Sequence, residues 1–392
     1  MLPRDSWVVH GRTDAATEPR FARVRVFTLR KVTVSQETSA DFTKAYREEM
    51  NHMHVTRLVG SGWFSRALAA AARLGIADLV ADQPLSDDEI ADKTDSDPRV
   101  MRRLMQMLTF WGVFVRDEAG RYVLSENFAP LRDDHPWSMR NYCILMAETY
   151  DDAFGGILET VRTGKSGFRA VFGTSLYEWL EREENAETAA IFDRAMAELS
   201  RPVAAVLARQ RDFSDVRTVV DVGGGGAGMV SGLVAAHPHL KGVCADRASV
   251  CERGPAQLEK TLNADVAARV SFQPTDIFES VPDGGDLYLL KNVLHDWTPK
   301  SGLRILTAIH AAMRRTAEAE GKSPRLLVME PLVEQDADAV RGMFQLVVCE
   351  EGTLGLDQDG IREIIAAAGF EVTATDRLMS NHTVLECALA DA

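Results

Sequence analysis

Val219-Val-Asp-Val-Gly-Gly-Gly-Gly-Ala-Gly-Met229 is the stretch on which the fold turns. The β-branched run over 218–222 reads as a buried strand, four glycines follow, and the chain then becomes helical. Glycine lets the backbone turn through positive φ and lets a ligand approach main-chain groups that a side chain would shield. The N-terminus of the following helix adds oriented N–H groups of its own. Toward the C-terminus, short apolar runs recur at 242–246, 270–273, 286–290 and 325–330, separated by helical stretches, with two more at 371–374 and 383–387. That alternation predicts an α/β fold with a parallel, doubly wound sheet. Ligands of such sheets sit beyond the carboxyl ends of the strands, so the glycine turn forms one wall of a site.

Upstream the texture differs. Residues 1–52 mix charges with Thr and Ser, and 21–29 alternate as a short strand would; no function is assigned to this extension. From 55 to 83 the pattern is helical, with Trp63, Leu68, Ala71, Ala72 and Leu79 as an apolar stripe and Gly75 as a stop. Ser86 and Glu89 have capping-box spacing. Asp97-Pro98 opens another helix, with Val100, Leu104, Met107 and Leu108 expected on one face. Two short alternating runs joined at 118–120 read as a hairpin. Helix, helix and hairpin make a winged-helix layout, followed by mostly helical sequence to about 210. The expected division is therefore an extension over 1–52, a helical winged-helix part over 53–210 and the sheet part over 211–392.

Composition narrows the function classes. The 392 residues carry a net charge of −14, which argues against nucleic acid as a partner despite Arg99, Arg102 and Arg103 on one helix. Five cysteines without C-x-x-C spacing, and histidines without an H-x-x-x-H cluster, argue against a disulfide framework and a metal site. No apolar run reaches the roughly 18 residues of a membrane span, and the N-terminus lacks a signal-peptide core, so no membrane partner and a cytoplasmic location are expected.

Gly223, Gly225 and Gly228 satisfy G-x-G-x-x-G, and Asp246 ends the second strand where a carboxylate would hold ribose hydroxyls. NAD and S-adenosylmethionine share that ribose. Asp221 separates them, because a carboxylate inside the first strand suits a cationic ligand and not a pyrophosphate. Asp276 and Ile277, after the third strand, suit an adenine amino group and its face. His295 follows the fourth strand at the ligand edge, with Asp296 beside it and Glu330 ending the fifth strand. This combination reads as a general base. An imidazole of ordinary pKa is largely neutral near pH 7, as a base must be. In the alternative, Asp296 caps the next helix and Trp297 is core. Phe110-Trp111 and Met343-Phe344 line a flat apolar pocket or pack in the core.

Residues 216–297 resemble the small-molecule O-methyltransferases of the caffeate, hydroxyindole and bacterial polyketide type. The resemblance is carried by Val220-Asp-Val-Gly-Gly-Gly225, Ala236-His-Pro-His-Leu240, Asp276-Ile-Phe278 and Leu290-Lys-Asn-Val-Leu-His-Asp-Trp297, and it extends over about 55–390. It implies a Rossmann-like class I methyltransferase sheet, S-adenosylmethionine as methyl donor, and a homodimer formed through the N-terminal half. Gly223 and Gly225 would line the methionine part of the cofactor, Asp246 the ribose, and Asp276 and Ile277 the adenine. Lys291 would lie beside the cofactor, Trp297 near the adenine, and Met196 and Ser200 in the pocket between cofactor and acceptor. His295 matches the base, and Glu330 one of two carboxylates bracing it. The second falls near Gly355 and is absent, which leaves Glu350 or Glu351 to replace it. The acceptor would be a small phenol or alcohol. C- or N-methylation, a non-methylating reaction in the same pocket, and a ligand-sensing regulator remain as alternatives.

Overall fold

The computed structural model describes residues 36–334, 338–353 and 357–390. The strand read at 21–29 and the position near Gly355 lie outside them. The chain divides into two units, one up to Val59 and one over Gly60–Ala392. The described part of the first is helical, within the helix Gln36–Arg73.

In the second unit that helix stops where Gly75 takes a left-handed φ of 65°, and Ile76–Asp82 starts anew. Ser86 and Glu89 form the capping box that opens the helix Asp87–Lys93, and the Asp97 side chain caps Pro98–Phe110. Strands β1 (Phe114–Arg116) and β2 (Tyr122–Leu124) pair antiparallel as the expected hairpin. Ile76, Ile90, Met105, Leu108, Phe114 and Tyr122 bury its core. The register of the stripes differs from expectation. Met101, Met105 and Leu108 face inward while Val100 is 66% exposed, because a one-residue slip rotates a helical face by about 100°. Trp63 is likewise 74% exposed and Phe110 81%, so neither belongs to core or pocket; Trp111 stacks on Phe64 at 4.8 Å. On the basic helix face Arg99 pairs with Asp97 and Arg102 with Asp87 and Asp88, while Arg103 donates to the neutral Gln106.

The sheet has seven strands: β3 (Thr218–Val222), β4 (Lys241–Asp246), β5 (Val270–Pro274), β6 (Leu287–Lys291), β7 (Arg325–Glu330), β8 (Phe370–Arg377) and β9 (Thr383–Leu389). Their order is β5-β4-β3-β6-β7-β9-β8. The first five are parallel, as expected, but β9 runs antiparallel to both β7 and β8. The few residues between Arg377 and Thr383 cannot hold a crossover helix, so the last pair closes as a hairpin. Alternation along the strands splits the core into two layers. Val220, Tyr288, Leu290, Leu326 and Val328 pack on the helices Pro299–Glu320 and Gln358–Ala367. Val219, Leu287, Leu289, Leu327 and Met329 face Ala186–Gln210 and Gly228–Ala236.

Candidate active site

The carboxyl ends of β3, β4 and β6 open into a cavity of about 1090 Å³. Its floor is the glycine turn. Gly225 takes φ +55°, a left-handed conformation that favours glycine, and its N–H donates to Asp246 Oδ2 at 2.8 Å. Gly228 serves packing instead: a Cβ there would meet Ala197 Cα at 2.6 Å, so glycine lets the helix Ala186–Gln210 lie against the turn. That close approach brings Met196 and Ser200 to the cavity wall.

The cavity gathers the expected cofactor residues Asp221, Gly223, Gly225, Asp246, Asp276, Ile277, Lys291, Trp297 and Ser200. Asp221 is buried and accepts from the Val230 N–H; burial pushes its pKa up to about 7 despite that bond and the nearby Lys291. Burial also raises Asp246, which accepts from Gly225 and Arg247 N–H groups. Lys291 donates to Ser200 Oγ at 3.0 Å and is lowered by burial to about 8, with Asp221 opposing the shift. Two desolvated carboxylates of raised proton affinity form a wall that a positively charged ligand stabilises. Asp276 accepts from the Phe278 N–H.

His295 sits in the same cavity, in a single 3-10 turn after β6. Its Nδ1 is 2.6 Å from Glu330 Oε2, behind the cavity. Glu330 is itself fixed, since its other oxygen accepts from the N–H groups of Val293 and Leu294 at 2.9 and 2.8 Å. Asp296 Oδ1 lies 3.4 Å from Nε2. Burial lowers the proton affinity of His295, and the charges of Asp296 and Glu330 more than reverse this, to a pKa of about 9. The imidazole therefore differs from the neutral one expected at pH 7: it is basic enough to take a proton and holds it firmly.

Asp296 does not cap the next helix; Thr298 does. Neither Glu350 nor Glu351 replaces the missing brace. Glu350 accepts from Thr298 N–H and Ser301 Oγ, and Glu351 lies 3.9 Å from Arg169. Phe344 lines the cavity, edge-on to Tyr150 at 4.8 Å, but Met343 does not. Neighbouring positions on the helix Ala339–Val348 point about 100° apart, and Met343 packs against the buried helical cluster. Sequence reading missed several walls, including Tyr142, Tyr150, Tyr177, Arg247 and Gln345. Arg247 alone carried a signal, as the neighbour of Asp246.

An O-methyltransferase domain family matches residues 154–371, and an O-methyltransferase dimerisation domain family matches 56–127. A phenazine O-methyltransferase of Lysobacter antibioticus is 30% identical over 84% of this chain and 94% of its own. An 8-amino-8-demethylriboflavin N,N-dimethyltransferase of Streptomyces davaonensis is also 30% identical, over 82% of this chain and 90% of its own. Among solved structures, an O-methyltransferase from neocarzinostatin biosynthesis, in complex with S-adenosylmethionine and 2-hydroxy-5-methyl naphthoic acid, superposes with a TM-score of 0.65 at 28% identity, covering 83% of this chain and 96% of that one. With the fold, the cavity and these likenesses in place, the chain belongs to the S-adenosylmethionine-dependent O-methyltransferase family.

Proposed function

We propose that this enzyme methylates the hydroxyl of a small phenolic secondary metabolite, with His295 as general base. The observation that carries the reading is the His295–Glu330 contact of 2.6 Å at the edge of the cavity that holds Asp221 and Asp246. Bound S-adenosylmethionine supplies a methyl group already activated on a sulfonium, so the protein's work is alignment and removal of one proton. Asp246 would hold the ribose, Asp276 and Ile277 the adenine, and Gly223, Gly225, Lys291 and Ser200 the remainder, with Asp221 facing the positive charge. Trp297 closes the nucleoside side. Met196 and Phe344, with Tyr150 and Phe192, form apolar walls for a flat acceptor.

In the neutral form of the imidazole, Glu330 would hold the proton on Nδ1, which leaves Nε2 to accept the acceptor's proton. His295→Ala should lower kcat on a phenol by about a hundredfold or more, within the usual contribution of a positioned base. A variant that turns over at the wild-type rate would remove this assignment. A relative named for dimethylating an amine supports a second reading, an N-acceptor. An amine attacks through its lone pair without prior loss of a proton, so only a phenol substrate should respond strongly to His295→Ala.

The helical part, expected over 53–210, is proposed to form a homodimer, and 211–392 to carry the cofactor. Trp63, Val100 and Phe110 are exposed within the stretch matched to the dimerisation family, which supports a covered apolar face. Sedimentation of Phe110→Asp as a monomer would support this; an unchanged dimer would move the interface elsewhere. Among the described residues no helix is long and apolar enough to cross a membrane.

A further inference from the structure

Tyr177 sits on the short helix Leu176–Leu180, far from the sheet in sequence. Its hydroxyl donates to Asp296 Oδ2 at 2.5 Å. Its ring stacks on Trp297, with centroids 5.2 Å apart and planes 20° apart, and packs edge-on to Phe192 at 6.2 Å. The Arg247 guanidinium lies over the same ring, 5.2 Å from its centroid, and pairs with Glu181. One side chain thus touches the nucleoside side of the cavity, through Arg247 and Trp297, and the carboxylate beside His295. Burial, with Asp296 next to it, keeps the phenol protonated well beyond its ordinary range, so it is always a donor. The other oxygen of Asp296 receives the Cys349 thiol at 3.1 Å and lies 3.4 Å from His295 Nε2.

We propose that Tyr177 is a positioning residue, which fixes the Asp296 carboxylate and through it the orientation and proton affinity of His295. The proposal rests on the reading of His295 as the base. Without the hydroxyl, the half-buried Asp296 Oδ2 loses its donor. Its charge then bears more strongly on the imidazole, and the Asp296–His295 pair holds its proton more tightly. The acid limb of the rate profile therefore moves to higher pH, and a less firmly placed imidazole lowers turnover.

Tyr177→Phe keeps the ring and its stack on Trp297 and removes only the hydroxyl. On a phenolic acceptor it should lower kcat on the order of tenfold, raise the acid limb by about half a unit to one unit, and leave the KM for S-adenosylmethionine within about twofold. Tyr177→Leu should add a rise in that KM, because the wall against Trp297 and Arg247 is lost as well. A Tyr177→Phe enzyme with unaltered kcat and limb, measured beside an inactive His295→Ala, would overturn the role of Tyr177 alone. A His295→Ala enzyme with wild-type turnover would overturn the base itself, and this role with it.

Discussion

Replacing Glu330 by Gln tests the base most sharply, since the amide matches the carboxylate in shape. Its oxygen can go on accepting from Val293 and Leu294 N–H. Its –NH2 must then face His295 Nδ1, 2.6 Å away in the native protein, and donate to it. That puts the imidazole proton on Nε2, the atom that has to accept one. The same exchange also removes one of the two charges that lift His295 from 6.5 to about 9. A hydrogen bond to a buried charge contributes about 1.5–3 kcal/mol, so plateau kcat should fall roughly ten- to hundred-fold from this alone, and further with the reversed tautomer. The sign of the pH effect follows from the direction of the shift. In the wild type the basic form is populated only as pH rises toward about 9, so the acid limb of kcat/KM in the free enzyme lies well above that of an ordinary imidazole. With Glu330→Gln that limb should move to lower pH while its plateau drops. The assay is methyl transfer to a phenol across neutral and alkaline pH, with calorimetric binding of S-adenosylhomocysteine as the check that the cavity is intact. Full turnover with an unmoved limb and intact binding would refute the reasoning.

Other consequences are as direct. Asp246→Ala should weaken S-adenosylhomocysteine binding by roughly ten- to hundred-fold, the worth of hydrogen bonds to a charged partner; calorimetry with unchanged affinity would take the ribose away from Asp246. Gly228→Val should lower stability by about 1–3 kcal/mol or more, because its Cβ would meet Ala197 Cα at 2.6 Å. A thermal melt indistinguishable from wild type would show that the helix yields at that contact.

Local signals in the sequence carried far. The strand before the glycines, the Ser86–Glu89 box and the Asp97 cap each stand where their chemistry places them, since each depends on neighbours within a few residues. Apart from Ser200, which the helix Ala186–Gln210 brings in, the expected cofactor residues and His295 converge because they lie at or just beyond the ends of parallel strands, which topology brings to one edge. What escaped depends on contacts between distant segments. Tyr177 is 119 residues from Asp296, and nothing in its own helix marks the pairing. The inward face of Pro98–Phe110 escaped for another reason: Val100, Met101, Leu104, Met105 and Leu108 allow two stripes, and only packing chooses Met101, Met105 and Leu108. Raised proton affinity at His295 was equally hidden, as it needs both carboxylates in place at once.

The helix Ala186–Gln210 has a consequence for how such an enzyme changes its taste in substrates. It is wedged on the sheet side by backbone-close contact at Gly226 and Gly228, and on the other by Glu198, which accepts from the amides of Asn141 and Tyr142. Clamped from both directions, it is a fixed jaw that carries Met196 and Ser200. Room for a bulkier acceptor is then expected from Tyr150 and Phe344, which meet edge-on through their side chains rather than through the backbone.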